Sequence, residues 1–189
     1  MGTIVNERIV DYINSLDKGN SPVCNAIEPQ KILEVGTAVG YSSILMSENM
    51  PQNCRITTIE NYEKRIPVAK NNFKRAGKEE VITLLEGDAM DILKELDGTY
   101  DFIFMDAAKG QYINFLPELL RLMPAGGLLI SDNVLQEGDI VESRYGVTRR
   151  NRTIHTRMRE YIYTLTHAEQ LETSIVPIGD GITLSVKKG

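Results

Sequence analysis

Short apolar segments alternate with helical patterns along most of this chain, and that alternation restricts its fold more than any other feature. The predicted strands cover 31–35, 55–60, 81–85, 100–105 and 127–131, with helices at about 41–49, 62–76, 90–96 and 111–122 between them. A helix at about 151–166 precedes two last strands, about 171–177 and 181–187, which meet at the hairpin signal Gly179-Asp180-Gly181. The pattern predicts an α/β fold, a doubly wound, Rossmann-like seven-stranded sheet with an antiparallel C-terminal hairpin.

The composition is that of one soluble domain: 189 residues, of which 42% are hydrophobic and 25% charged. We therefore predict a single domain over 1–189, in which 1–30 supply an N-terminal helix (4–16) and a connector. The net charge of −5 argues against a surface coated with basic residues for duplex nucleic acid, but it allows a local basic patch. There is no apolar run of membrane-spanning length, no signal-peptide pattern and no metal-ligand spacing of Cys24 and Cys54, so we expect a reduced, cytoplasmic protein.

The first predicted strand runs directly into a glycine-bracketed turn between Gly36 and Gly40. Glycines let the backbone approach a ligand closely, and the helix that follows offers free N–H donors. The spacing differs from the dinucleotide-binding pattern, and no phosphate-loop lysine is present. Because Glu34 lies beside the turn, a ligand with an amino or cationic end is favoured, which points to S-adenosylmethionine rather than a pyrophosphate. A plain strand–turn–helix corner would have a similar sequence.

Five successive strands end in acidic residues, namely Glu34, Glu60, Asp88, Asp106 and the pair Asp132-Asn133. Any one of them could be a helix N-cap or a solvated strand end. In doubly wound sheets, however, the carboxyl ends of the strands form the ligand crevice. There Glu60 would hold the ribose hydroxyls of a nucleoside, and Asp88 and Ala89 would lie near its base.

Asp106, Asp132 and Asn133 come from two neighbouring strand ends and offer hard oxygen ligands. Such donors, with no nearby His or Cys, favour Mg²⁺ first, with Mn²⁺ or Ca²⁺ as alternatives. Lys109 follows Asp106 by three residues and is a candidate base, although taken alone it would more often be a surface lysine.

Three motifs then resemble those of the cation-dependent O-methyltransferases, a family that includes catechol and caffeoyl-CoA O-methyltransferases. They are Glu34-Val35-Gly36-Thr37-Ala38-Val39-Gly40-Tyr41-Ser42-Ser43, Asp106-Ala107-Ala108-Lys109-Gly110-Gln111-Tyr112 and Ser131-Asp132-Asn133-Val134-Leu135. The resemblance covers about Lys31 to the C-terminus. It implies a class I methyltransferase fold and, commonly for the family, a homodimer.

The resemblance also implies roles for individual residues. The cofactor S-adenosylmethionine would be bound by Glu34, Gly36, Thr37, Gly40, Tyr41, Ser42, Glu60, Asp88, Ala89 and Asp106. A divalent cation would be bound by Asp106, Asp132 and Asn133, and Asp106 and Lys109 would be catalytic. The cation would chelate two adjacent substrate oxygens and lower the pKa of the hydroxyl, and the oxyanion would attack the sulfonium methyl.

Arg149, Arg150 and Arg152 crowd the start of the helix at about 151–166, and Arg144 precedes them in the same stretch as a fourth candidate substrate-binding residue. Positive charge at this end opposes the helix dipole and costs about 0.3 kcal/mol or more for each arginine. A bound anion, or acidic partners elsewhere in the fold, would offset that cost. The stretch resembles the bacterial branch that methylates 5-hydroxyuridine at the tRNA wobble position, where the 5-hydroxyl and 4-carbonyl oxygens are vicinal. The expected partner is then a tRNA anticodon loop, held through its phosphates.

Two other functions stay open at this point. One is a small-molecule catechol or caffeoyl-type O-methyltransferase, since the three motifs are common to both substrate classes. The other is a non-catalytic module that binds S-adenosylmethionine or RNA. It is kept open because the connector 17–30 is shorter than the family's usual layout by roughly two to three dozen residues, a stretch that helps to cover the cofactor.

Overall fold

The computed structural model describes residues 28–189, so the predicted helix at 4–16 and Cys24 lie outside the described residues. The strands are β1 (Lys31–Val35), β2 (Arg55–Glu60), β3 (Ile82–Glu86), β4 (Phe102–Met105), β5 (Leu128–Ser131), β6 (Leu171–Val176) and β7 (Ile182–Lys187). The helices, numbered within the described residues, are α1 (Tyr41–Asn49), α2 (Ile66–Ala76), α3 (Ala89–Glu95), α4 (Tyr112–Leu122) and α5 (Arg152–His167). Short 3₁₀ turns cover Lys109–Gln111 and Gln136–Val141.

The seven strands form one sheet in the order β3-β2-β1-β4-β5-β7-β6. The first five are parallel, and β7 pairs antiparallel with both β5 and β6. This confirms the predicted doubly wound sheet with its antiparallel hairpin. The order reverses between β1 and β4, so the loops after these two strands diverge and leave a crevice at the carboxyl edge.

Apolar side chains cover both faces of the sheet. Successive residues of one strand point to opposite faces, so Ile32 and Phe102 pack beneath α1 and α2 while Leu33 and Ile103 pack beneath α3, α4 and α5. Burial on both faces explains why the parallel strands are continuous apolar runs rather than alternating ones.

Two boundaries differ from the sequence prediction. Helix α2 begins at Ile66 rather than near residue 62, because Pro67 lies in its first turn and the Glu60 carboxylate accepts hydrogen bonds from the backbone N–H groups of Asn61 and Tyr62. The predicted loop at 134–150 contains short 3₁₀ segments within Gln136–Val141, which are interrupted by a kink at Glu137 and Gly138, where φ is +54° and +90°. In the part of the chain from 28 onward, no helix is long and apolar enough to cross a membrane.

Candidate active site

The turn after β1 lies directly against the loop after β4. Gly36 has φ +108°, and a Cβ at this position would lie 2.1 Å from the backbone oxygen of Asp106. The N–H groups of Gly36 and Thr37 both donate to the carbonyl oxygen of Ile59, at 3.1 and 3.0 Å. Only glycine permits this approach, so the residue at 36 sets the spacing of two loops that belong to different strands.

Glu60 connects the turn to the end of β2. Its side chain is 7% exposed, and its Oε2 accepts a hydrogen bond of 2.7 Å from the N–H of Ala38. Its Oε1 accepts from the N–H groups of Asn61 and Tyr62 at 3.1 and 2.9 Å. The carboxylate is thereby fixed in orientation while it still borders the crevice.

A cavity of about 610 Å³ opens at the carboxyl edge of β1, β2, β3 and β4. Seven residues expected from the sequence to form the site line this cavity, namely Gly36, Glu60, Asp88, Ala89, Asp106, Lys109 and Asn133. Asp88 also acts as the N-cap of α3, since its Oδ1 accepts from the N–H of Met90 at 2.8 Å. Tyr62 and Arg65 line the cavity too, with the Arg65 guanidinium carbon 5.5 Å from the centre of the Tyr62 ring. Neither residue was predicted from the sequence, because both precede a helix and carry no motif.

Glu34 differs from its predicted role. It is fully buried and accepts hydrogen bonds from the hydroxyls of Ser42, Ser43 and Thr58, and it does not line the cavity. Burial raises the pKa of the Glu34 carboxyl, against the three hydroxyl contacts, which lower it. Its side chain holds α1 against β1 and β2 rather than facing a ligand.

Four more of the predicted cofactor-binding residues lie around the turn without lining the cavity. The Ser42 hydroxyl donates to Glu34, and the Thr37 hydroxyl is 2.6 Å from that of Thr58. Gly40 lets α1 approach α2, since a Cβ there would lie 2.5 Å from Cε1 of Phe73, and the Tyr41 side chain is 74% exposed. These residues shape the turn, and its backbone forms that wall of the cavity.

The Lys109 ammonium is the centre of a polar cluster between β4 and β5. Its Nζ donates to Oδ1 of Asp106 at 2.8 Å and to Oδ1 of Asn133 at 2.7 Å. It also lies 3.4 Å from the backbone oxygen of Asp132. The two side-chain oxygens are therefore at most about 5.5 Å apart, the sum of their distances to the shared nitrogen. Oxygens that converge on one positive charge suit a cation.

Two of the three side chains that were predicted to bind a hard cation converge in this cluster. Asp106 and Asn133 direct side-chain oxygens to one point, whereas Oδ1 of Asp132 accepts from the N–H of Asn133 at 2.7 Å. Asp132 reaches the Lys109 nitrogen through its carbonyl oxygen. Among residues 28–189, no three Asp, Glu, His or Cys side chains group as a metal site. One of the three expected ligands is an asparagine, so the donor set is of carboxylate, amide and carbonyl oxygens, which hard cations accept.

Tyr112 belongs to the cluster and was not among the predicted site residues. It is fully buried, its hydroxyl lies 3.0 Å from Lys109 Nζ, and it is 3.1 Å from the carbonyl oxygens of both Met105 and Asp132. Burial raises the pKa of the Tyr112 phenol well above its usual range, so it remains a neutral hydroxyl. Its spacing of three residues from Lys109 at a helix start was the available signal, because such pairs lie on one face.

Three of the predicted substrate-binding arginines, Arg144, Arg149 and Arg150, are exposed on the loop before α5. Arg152 opens α5, donates to the carbonyl oxygen of Val147 and lies 5.7 Å from the ring centre of Tyr145. None of the four forms an ion pair with a carboxylate of the described chain. Helix α5 is anchored to the loop of Lys109 by Arg157, whose Nη1 donates to the carbonyl oxygen of Gly110 at 3.0 Å.

Comparison with known proteins agrees with this architecture. A family model described as O-methyltransferase matches residues 22–188. Caffeoyl-CoA O-methyltransferase 2 of Populus trichocarpa is 32% identical over 186 residues, which are 90% of this chain and 72% of that protein. The catechol O-methyltransferase of Niastella koreensis is 38% identical over 119 residues, covering 61% of this chain and 54% of the relative.

A solved structure has the same fold. The O-methyltransferase from Bacillus cereus in complex with SAH superposes with a TM-score of 0.78, at 22% identity, over 97% of this chain and 92% of that one. At this identity the likeness concerns the fold alone. The sequence relationship is broader, since the family model and the Populus relative both extend over most of the chain. The protein therefore belongs to the O-methyltransferase family and is an S-adenosylmethionine-dependent O-methyltransferase.

Proposed function

We propose that this enzyme methylates one of two adjacent oxygens of its substrate with the help of a hard divalent cation, and that the substrate is 5-hydroxyuridine at the tRNA wobble position. The observation that carries the proposal is the convergence of Asp106 Oδ1, Asn133 Oδ1 and Lys109 Nζ at the edge of the cavity. A substrate with vicinal oxygens fits such a point, because both oxygens would face the same charge.

The methyl donor would lie in the cavity of about 610 Å³. S-adenosylmethionine supplies an already activated methyl group, so positioning and electrostatics carry most of the catalysis. Glu60 borders the cavity with both oxygens held by backbone N–H groups, an orientation suited to ribose hydroxyls. Asp88 and Ala89, on the same wall, would lie at the adenine end.

A cation at the proposed site, Mg²⁺ first, would be held by Asp106, Asn133 and Asp132 and would favour the ionised form of the substrate hydroxyl. These oxygens now accept hydrogen bonds from Lys109, so the lysine must give up part of its contacts when they bind a cation. Tyr112 keeps its own contact with Lys109 Nζ at 3.0 Å from the buried side. Lys109 would thus stay beside the reacting oxygen. Once its ammonium has lost a proton to solvent, its neutral amine would take the proton of the substrate hydroxyl.

The arginines favour an RNA substrate. Arg144, Arg149 and Arg150 are exposed and have no carboxylate partner in the described chain, although they precede a helix whose dipole disfavours positive charge. Phosphates would offset that cost. The contact between Arg157 and Gly110 ties this helix to the loop of Lys109, so the loop that carries the arginines is connected through α5 to the proposed reaction centre. A wobble base lies in a single-stranded loop, and its entry into the cavity costs little.

A small catechol-like substrate is the second candidate. It is supported by the relatives, which are named for caffeoyl-CoA and catechol. A protein that only binds S-adenosylmethionine or RNA would have no use for the converging Asp106, Asn133 and Lys109, so this possibility is the least supported of the three.

The deciding experiment is methyl transfer from labelled S-adenosylmethionine to two acceptors, tRNA from cells that lack the enzyme and a catechol, each with and without a chelator. We expect label in tRNA that the chelator abolishes, and a tRNA-to-catechol turnover ratio that falls in Arg150→Ala. Arg75→Ala, an exposed arginine of α2, is the matched control. Label in catechol but never in tRNA would defeat the tRNA proposal. Turnover that persists in the presence of the chelator would refute the role of the cation.

The single domain over 1–189, the homodimer and the cytoplasmic location remain predictions. Light scattering during size-exclusion chromatography tests the dimer.

A further inference from the structure

A smaller cavity is lined by residues of α5 and of the loop before it. Its volume is about 380 Å³, and its lining consists of Ser143, Arg144, His155, Thr156 and Arg159. This set, called here the α5 cavity, contains two guanidinium groups and no carboxylate. Its charge and its hydrogen-bond donors suit an anion.

His155 supplies an independent sign of a ligand. Its side chain is 2% exposed, and its Nε2 lies 3.2 Å from the carbonyl oxygen of Glu142. A carbonyl only accepts, so Nε2 carries the hydrogen and Nδ1 is left to accept in the neutral ring. Nδ1 is buried and has no hydrogen-bond partner among residues 28–189. Buried polar atoms are rarely left unpaired, and a hydroxyl of a ligand would satisfy this one.

The other donors are partly fixed in advance. Arg159 uses Nη1 for the carbonyl oxygens of Ile140 and Glu142, at 3.1 and 3.4 Å, so its guanidinium is oriented by the fold through that one nitrogen. The Ser143 hydroxyl accepts from the N–H of Gly146 at 3.2 Å, which leaves its hydrogen free to be donated. Arg144 is exposed and forms no ion pair with a carboxylate of the described chain.

We propose that the α5 cavity binds a ribose-phosphate unit of the substrate, with the phosphate on Arg144 and Arg159 and a ribose hydroxyl on His155. The inference rests on the proposed function, because it takes the bound unit to be part of the methylated molecule. Helix α5 joins the two places, since Arg157 contacts Gly110 beside Lys109 while His155 and Arg159 face the α5 cavity. A ribose-phosphate occurs in an RNA backbone and in coenzyme A thioesters, and the test separates these sources.

The chain contains two histidines, which makes imidazole NMR a direct test. His167 lies at the other end of α5, with Nδ1 2.9 Å from the carbonyl oxygen of Tyr163, and serves as the internal control. The wild-type protein is titrated with an anticodon stem-loop RNA, with coenzyme A and with inorganic phosphate. We expect the ring signals of His155 to shift with the RNA while those of His167 do not. Shifts with coenzyme A but not RNA would assign the cavity to a thioester substrate. If none of the three ligands moves His155, the inference is wrong.

Binding measurements complete the test. By fluorescence anisotropy, Arg144→Ala and Arg159→Lys should each weaken stem-loop binding about tenfold, and Arg144→Ala should also reduce the salt dependence by about one phosphate contact. Arg75→Ala should leave both unchanged. Equal affinity of all three variants and wild type would overturn the inference, even where tRNA methylation itself proceeds. Loss of RNA methylation with an intact response of His155 to phosphate would overturn the proposed substrate and leave the α5 cavity standing.

Discussion

Replacing Gly36 with alanine tests whether the contact between two loops builds the cofactor cavity. A Cβ at this position would lie 2.1 Å from the Asp106 oxygen, whereas real Cβ contacts stay beyond 3.0 Å. One loop must therefore move by about 1 Å, and overpacking of this kind costs about 1–3 kcal/mol. The φ of +108° adds backbone strain for an L-residue of about 1–2 kcal/mol. We expect Gly36→Ala to lower the free energy of unfolding by about 2–5 kcal/mol.

Gly126 offers a matched control for the backbone strain. Its φ is +80°, and a Cβ there would meet nothing within 4 Å. Gly126→Ala should therefore cost only the strain, about 1–2 kcal/mol. The difference between the two variants isolates the close approach of the loops.

Urea unfolding followed by circular dichroism measures the loss in free energy of unfolding of each variant. Calorimetric titration with S-adenosylhomocysteine measures the affinity of the cavity for this ligand. We expect the urea midpoint of Gly36→Ala to fall below that of Gly126→Ala by roughly 1 M, given a slope of about 1–3 kcal/mol per M. Affinity for S-adenosylhomocysteine should fall in Gly36→Ala alone. If both variants unfold at one midpoint and bind equally, the contact does not shape the cavity.

Three further predictions concern the polar groups around the cavity. Tyr112→Phe removes the hydroxyl contact to Lys109 and should lower kcat more than it changes KM, with a stability loss of about 1–3 kcal/mol from unpaired carbonyls. Burial raises the pKa of Glu34 above its ordinary 4.5, so the folded state binds the proton more tightly than the unfolded state. The stability advantage of wild type over Glu34→Gln should therefore shrink as pH rises from the unfolded-state pKa to the raised folded-state pKa, and it should stay constant at higher pH. Asp106→Asn should weaken Mn²⁺ binding, measured by calorimetry, more than tenfold, which corresponds to about 1.4 kcal/mol or more.

Controls separate these effects from general damage. Tyr100→Phe alters another buried tyrosine, whose hydroxyl lies 3.5 Å from Thr57, and should leave kcat unchanged. If Tyr112→Phe changes kcat and KM no more than Tyr100→Phe does, the role of Tyr112 is contradicted. A pH-independent difference between wild type and Glu34→Gln would contradict the raised pKa. For the cation, Asp101→Asn serves as control, since Asp101 caps the opposite end of β1 through the N–H groups of Gln30 and Lys31.

The fold followed from local chemistry. The apolar runs, the prolines and the glycine stops mark strands and helices within a few residues, and the alternation of strands and helices predicts the doubly wound sheet. The shifted start of α2 is explained by a side-chain contact that crosses between elements, that of Glu60 with the N–H groups beyond β2.

The sequence by itself determined where oxygen-bearing side chains come together, because the carboxyl ends of parallel strands share one edge. Tertiary structure alone decided what each of them faces. Glu34 is buried because Thr58 is its register partner on β2 and two serines of α1 close over it, whereas Glu60 keeps its place beside the cavity. Tyr112 became part of the site because its hydroxyl meets the carbonyl of Asp132, twenty residues away in the chain. The orientation of a polar side chain depends on the partners that folding brings to it, and those partners are distant in sequence.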